Sequence, residues 1–315
     1  MQQPMSDRPI GDRSVGDRSV GDRSVGDRSG DRPIIDRLRA AVAPTRPEHG
    51  AAGEGREDAR VGAVDLTRWR TPIGRALAAL AGRVGAALGP YAALLVILAI
   101  GLAVTAALGA LAAEVYDAVT DADGVAGIDR PVLDAILTIR DPQAAALITG
   151  FTDLAGTVGM PLIAVSALLI LGIRRRSWTP VVLIVAAGAG SLLMTIAGKV
   201  VVGRDRPPVA DAVPPFEVSA SFPSGHTLNA VAILGMIAYL LVLRRRTAWS
   251  RTAIITATVV CTLLVAASRV YLGHHWVTDV VAGWLLGAAW VALIITAHRL
   301  YLTVRLRHGR SQPTH

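Results

Sequence analysis

The sequence predicts an all-α integral membrane protein with six transmembrane helices behind a disordered N-terminal tail. Three observations predict it. Apolar residues make up 52% of the 315-residue chain, and the mean hydropathy is +0.47. They come in long, nearly uncharged blocks of the length a bilayer requires. The arginines gather beside those blocks rather than inside them.

Residues 1–70 form the predicted tail. Gly-Asp-Arg-Ser-Val repeats over 11–25 and decays through 26–33, a tract of alternating charge with too few apolar residues to build a core. It reads as a solvated cytoplasmic extension, with a tether or partner-binding segment as the alternative. The N-terminus is polar and shows no early apolar run of the kind a secretory signal carries.

Six apolar segments follow, in a domain placed at 71–304. They cover 90–113, 154–173, 178–198, 222–243, 252–267 and 276–297, with a surface helix expected at 144–151 ahead of the second. A span takes about 20 residues, so the fifth lies at the lower limit and is expected to recruit Ser268 and its neighbours. Residues 305–315 are a short basic tail.

Arginine placement gives the topology. Arg174, Arg175 and Arg176 lie between spans two and three, and Arg244, Arg245 and Arg246 between four and five. Arg305, Arg307 and Arg310 follow span six, while Arg68, Arg70, Arg75 and Arg83 precede span one. With six spans all four clusters share one side, which the positive-inside rule makes cytoplasmic together with both termini. The mostly acidic connection 114–141 then lies outside, as do the loops 199–221 and 268–275.

The formal charge of +8 raises nucleic acid as a partner, but topology already accounts for the arginines, so no nucleic-acid partner is expected. Cys261 is the single cysteine, which excludes an internal disulfide and a cysteine metal cage. Lys199 is the single lysine.

The unusual polar residues collect at the outer ends of spans three to six. Lys199 ends span three and Arg206 follows in the loop. Pro223-Ser224-Gly225-His226 opens span four, Ser268-Arg269 closes span five, and His275 with Asp279 opens span six. Phosphoryl transfer needs cations and donors around three equatorial oxygens, and this set supplies them. Arg206 and Arg269 offer planar forks and Lys199 a point charge. Ser224 and Gly225 offer the free N–H groups of a helix start.

His275 and Asp279, four residues apart on a helix, would share a face. The carboxylate would hold one ring nitrogen and free the other to attack phosphorus. His274 points away. His226 would protonate the leaving oxygen and then activate water. Each residue alone has an ordinary explanation, such as a snorkelling cation, a helix cap or a structural ion pair. A zinc site of His226, His274, His275 and Asp279 is opposed by the three cations. Together the residues describe one anion site.

Their order and spacing resemble the three-part signature of the type 2 phosphatidic acid phosphatase superfamily. The signature reads Lys199, Arg206-Pro207; Pro223-Ser224-Gly225-His226; Ser268-Arg269, His275, Asp279. The resemblance covers about 85–300 and omits the repeats. It implies a metal-independent, cofactor-free phosphatase, with Lys199, Arg206, Ser224, Gly225, His226 and Arg269 around the phosphate. It also implies His275 as nucleophile, Asp279 as its partner and His226 as acid.

The substrate class it implies is a lipid phosphate monoester or diphosphate, phosphatidate-type or polyprenyl; the compact loops, the arginine-rich bias and the want of a eukaryotic-looking targeting segment point to a bacterial plasma membrane. Two alternatives stay open: an inactive lipid-binding or transport protein on the same scaffold, and a vanadate-dependent haloperoxidase-like enzyme. The oligomeric state is not readable.

Overall fold

The computed structural model describes residues 58–61, 64–89, 98–99, 101 and 125–308, all within the unit Arg46–His315; the other unit, Met1–Thr45, lies outside the described residues. A short antiparallel hairpin, β1 (Arg60–Val61) and β2 (Val64–Asp65), leads into α1 (Pro72–Leu88). A 3-10 turn at Val125–Ile128 precedes α2 (Asp129–Ile139) and α3 (Pro142–Asp153). Then come α4 (Gly159–Arg175), α5 (Thr179–Val202), α6 (Gly225–Leu243), α7 (Ala248–Tyr271) and α8 (Val277–His308).

Local chemistry sets the helix ends. Thr71 caps α1 by accepting from Gly74 N at 3.1 Å, with Pro72 in the first helical position. Asp141 caps α3 in the same way, accepting from Ala144 N at 2.8 Å. Gly203 ends α5 at φ 61°, a left-handed conformation that a residue without Cβ enters freely, and its N–H donates to the Lys199 carbonyl at 3.1 Å. That stop turns the chain just past Lys199 and sets Arg204 and Arg206 at the mouth of the helix.

Among the described residues, four helices are long and apolar enough to cross a bilayer: α5, α6, α7 and Val277–Leu306 of α8. The central one is α6, with 56% of its most apolar stretch buried against 39% for α5 and 33% each for α7 and α8. Leu183 and Ile184 of α5 meet Leu228 and Met236 of α6 and Trp290 and Ile294 of α8 in the core. Leu193, Ile196, Ile255 and Leu263 stay about half exposed, an apolar outer surface that water would penalise and acyl chains would not. Gly283 and Gly287 let α8 close on α6: a Cβ there would come within 2.8 Å of Ser224 O and of Val231 Cβ, respectively. The starts of α6 and α8 are thereby held together.

Several expectations change. The run 90–113 lies outside the described residues apart from Leu98, Ala99 and Gly101, and the four candidate spans are those among the described residues. The expected surface helix at 144–151 is α3. The second span starts at Gly159, not at 154, because Ala155 N and Gly156 N close a turn on Thr152 O and Asp153 O (2.9 and 3.0 Å). With 17 residues α4 is about 26 Å long, short of the roughly 30 Å hydrocarbon core. The fifth segment is not short: α7 has 24 residues, since Thr247 caps it early and Ser268 and Arg269 remain helical.

Contacts also extend past both ends of the 71–304 segment. Asp58, at 1% exposure, pairs with Arg175 (3.7 Å) and Arg244 (3.3 Å), and Leu66 O accepts from Arg299 Nε at 2.9 Å. These ion pairs and this hydrogen bond seat residues 58–61 and 64–70 on the bundle, although their composition reads as tail. At the other end α8 runs past 304 to His308, with Arg305 Nη1 donating to Tyr301 Oη at 3.0 Å.

The arginine clusters gather at one end. Arg174, Arg175 and Arg176 join α4 to α5, Arg244, Arg245 and Arg246 follow α6, and α1 packs through Ala78 and Ala81 on Leu300 and Val304 of α8. Lys199, His226 and Asp279 lie toward the other end, Lys199 about 30 Å along α5 from its start at Thr179.

Candidate active site

Three segments build the site: the loop between α5 and α6, the turn between α7 and α8, and the first turn of α6. Gly273 makes the second possible. Its φ is 71°, and a Cβ there would strike the Asp211 backbone, so the chain reverses tightly after α7 and presents His274 and His275.

His275 precedes α8 instead of lying on it, so its pairing with Asp279 comes from the turn and not from a shared helical face. Its Nδ1 is 3.5 Å from Asp279 Oδ2 and 3.4 Å from Ser221 Oγ. Its Nε2 is 3.2 Å from Arg206 Nη1. A guanidinium only donates, so Nε2 is the acceptor and Nδ1 carries the proton toward Asp279. The ring is 1% exposed, and burial pushes its pKa down to about 4; the Asp279 hydrogen bond opposes that fall and the Arg206 charge adds to it. The imidazole is thus neutral at pH 7, with a lone pair facing a cation.

Asp279, fully buried, is held on every side. Ser221 Oγ donates to Oδ2 in a short bond, Trp276 N donates to the same oxygen at 3.0 Å, and Arg204 Nη1 donates to Oδ1 at 2.7 Å. Arg204 Nη2 reaches Asp129 Oδ2, also at 2.7 Å, and Asp129 in turn accepts from Thr278 N (3.0 Å) and Thr278 Oγ1 (2.6 Å). One guanidinium therefore ties the start of α2 to the start of α8.

The cations meet around the loop residues 217–220. Lys199 Nζ donates to Ser219 Oγ (2.7 Å) and Ala220 O (2.6 Å), acceptors that Arg206 Nη2 shares at 3.3 and 3.5 Å. Arg206 also binds Ser219 O through Nε (2.7 Å) and His274 O through Nη1 (2.5 Å). Glu217 bridges the two arginines: Oε2 takes Arg206 Nη2 at 2.7 Å, and Oε1 takes Arg269 Nη2 in a short ion pair. Oε1 also lies 3.8 Å from His226 Nδ1. Burial pushes the Glu217 carboxyl up, but Arg269 and then Arg206 outweigh it and hold the group at about 2.

Ser224 occupies the N-cap position of α6 and is fully buried, its hydroxyl turned to Thr227 Oγ1 at 3.0 Å and not to a backbone N–H; its own N–H donates to Asp279 O at 3.1 Å. Gly225 opens the helix where a Cβ would press on Thr195 Cγ2 at 3.0 Å. Gly156, in the turn before α4, faces His226: a Cβ would stand 3.3 Å from Nε2.

The structure brings together His275, Asp279, Arg206, Arg269, Lys199 and His226 through the bonds above, with Ser224 tied to Asp279. His274 stands apart from Asp279, its Nε2 2.6 Å from Val213 O. Sequence reasoning missed Arg204, Asp129, Glu217, Ser219 and Ser221. Glu217 left a signal, being the lone acidic residue between Asp211 and Asp279. The two serines left none.

Residues 178–301 match the family model of the PAP2 superfamily. The chain is 36% identical over 168 residues to a phosphatidylglycerophosphatase B of Bacillus subtilis, covering 80% of that protein and 52% of this one. It is 42% identical over 74 residues to an undecaprenyl-diphosphatase of Sulfolobus acidocaldarius, 31% of that enzyme and 24% of this chain. A crystal structure of a transmembrane PAP2-type phosphatidylglycerolphosphate phosphatase from Bacillus subtilis superposes with a TM-score of 0.50 at 26% identity, over 70% of this chain and 98% of that one.

Proposed function

The chain belongs to the PAP2 superfamily and is a multi-pass membrane lipid phosphatase, and we propose that it works through a phosphohistidine on His275, without a metal ion, at the outer membrane surface. The observation that carries this is the orientation of His275, with Nδ1–H toward Asp279 and the Nε2 lone pair toward Arg206.

Nε2 attacks phosphorus, an N–P bond forms and the P–O bond to the lipid breaks. His226 gives the departing oxygen its proton. Water then attacks the phosphohistidine, His226 takes the water's proton, and phosphate leaves with Nε2 restored. Arg206, Arg269 and Lys199 supply the positive charge that a metal would otherwise bring to the equatorial oxygens. Ser224 and Gly225 add the helix N-terminus.

α4 and the run 90–113, added to the four long helices, make six spans, and both termini then lie with the arginine clusters on the cytoplasmic side. A phosphatidylglycerophosphate-type monoester is the first substrate, because that relative is matched over the greater length; a polyprenyl diphosphate is the second.

Phosphate release from a micellar panel of phosphatidylglycerophosphate, phosphatidate and undecaprenyl diphosphate, with and without EDTA, tests the reading. His275→Ala should fall to the uncatalysed rate while folded, and wild type quenched in alkali should hold a phosphoryl group that is stable to base and lost in acid. Turnover by His275→Ala, or activity lost in EDTA and restored by a divalent ion, would sink the mechanism.

A further inference from the structure

Asn229 is a polar residue of the bundle that the phosphoryl-transfer steps leave unused. It follows His226 by three residues on α6, so the two share a face and Asn229 stands roughly 4.5 Å further from the outer end. Its Oδ1 accepts from Ser191 Oγ of α5 at 2.6 Å. The residue is partly exposed, and among the described residues no acceptor meets its Nδ2. A hydrogen bond between two such side chains is an ordinary way to join membrane helices. It accounts for one end of the amide only. The other end carries two N–H bonds inside an apolar helix pair, where a donor without a partner is costly.

The surroundings of Asn229 point to the substrate. Ser191, Thr195 and Lys199 follow one another at four-residue spacing along α5, and Thr195 Oγ1 donates back to Ser191 O at 2.9 Å. Gly225 brings the start of α6 close against Thr195. Polar side chains therefore continue inward from Lys199 and His226, at the phosphate, to Ser191 and Asn229. A lipid held by its phosphate at the outer end runs inward past this level. In a glycerolipid the next polar groups after the phosphate are the ester carbonyls, which accept hydrogen bonds and donate none. A polyprenyl chain has no such group.

We propose that Asn229 is a specificity-determining residue: its Nδ2 donates to an ester carbonyl of a glycerolipid phosphate, while Ser191 holds the amide by its oxygen. The inference rests on the lipid-phosphatase reading and refines it, favouring diacylglycerol phosphates over polyprenyl diphosphates. The bond forms with an ester-linked lipid and not with one that lacks the carbonyl, so it changes one substrate and leaves the other as it was. Asn229 touches no reacting atom and moves no proton.

The test compares ester with ether. Full-length protein in dodecyl maltoside micelles is given dioctanoyl phosphatidate or the corresponding dioctyl diether phosphate, which lacks the carbonyls. The ester-to-ether ratio of kcat/KM is the readout. Asn229→Leu should lower that ratio about three- to tenfold, the worth of one hydrogen bond, with the loss falling on the ester. Farnesyl diphosphate should follow the ether. Asn229→Ala repeats the comparison if the leucine variant does not fold.

A ratio unchanged in the variant overturns the proposal, because a bond that only ties α5 to α6 slows both lipids by the same factor. So does a loss that falls on the ether. A wild type that releases phosphate from neither lipid defeats the functional reading instead. Calorimetric Kd values for the non-hydrolysable phosphonate analogues of the same two lipids then give the ratio, and the same outcomes apply.

Discussion

Replacing Arg204 with glutamine removes one charge and strands two carboxylates behind it. Arg204 Nη1 donates to Asp279 Oδ1 and Thr278 Oγ1, and Nη2 to Asp129 Oδ2, each at 2.7 Å. The side chains are 17% exposed for Arg204, 4% for Asp129 and none for Asp279, so water can substitute for little of this. Breaking a buried pair from one side costs about 3–5 kcal/mol, because the partner left behind keeps its desolvation penalty. Two partners are left here, which puts Arg204→Gln at the upper end of that range.

The chemistry should suffer in a characteristic way. Asp279 orients Nδ1–H of His275, and groups that orient a reacting side chain are worth about 10–100-fold. The Arg204 guanidinium is engaged with Asp279, Thr278 and Asp129, so KM should stay within about threefold while kcat falls about 10–100-fold. Arg204→Lys keeps the charge without the fork and should fall between. Thermal unfolding in detergent and phosphate release from micellar phosphatidate measure both effects. Wild-type kcat in a folded Arg204→Gln protein would refute the relay from Asp129 to His275. A raised KM at full kcat would refute the claim that Arg204 is remote from substrate.

The low pKa of His275 makes a second prediction about pH. Because its folded value, about 4, lies below the unfolded value near 6.5, the unfolded chain takes up a proton first. Stability contributed by the neutral ring is complete above about 6.5 and is lost as pH falls toward 4. Unfolding followed from pH 8 to 4 should therefore slope more steeply in wild type than in His275→Gln; parallel curves would argue that the ring is solvated. In the turn before α4, Gly156→Val should push methyl groups against His226 Nε2, since even a Cβ stands 3.3 Å away. Turnover should drop by about 100-fold for a stability cost of about 1–3 kcal/mol, and normal turnover would show that this side of His226 plays no part.

How much of this was legible in the chain differs by residue. The spans α5 to α8 could be read from runs of apolar residues, because lipid demands an uninterrupted stretch and a helix satisfies its own backbone. The α4 start could not, since the Leu154–Val158 turn is closed by backbone bonds that apolar content does not encode. Residues 58–61 and 64–70 looked like tail, and what holds them is contact with residues more than a hundred positions away, Asp58 with Arg175 and Arg244 and Leu66 with Arg299.

Within the site, spacing singled out the residues proposed to carry the chemistry: His275 with Asp279, His226, Lys199, Arg206, Arg269, and the Ser224-Gly225 helix start. These types are costly near a membrane and seldom occur there without a task. Tertiary structure decided how they are held. It took His275 off the helix, aimed its Nε2 at Arg206, balanced Asp279 with Arg204, and laid Glu217 across the two arginines. The reason is physical. Hydrophobic periodicity is local and survives in the sequence, whereas the pairing of buried charges depends on which chain segments a fold happens to bring within 3 to 4 Å of each other.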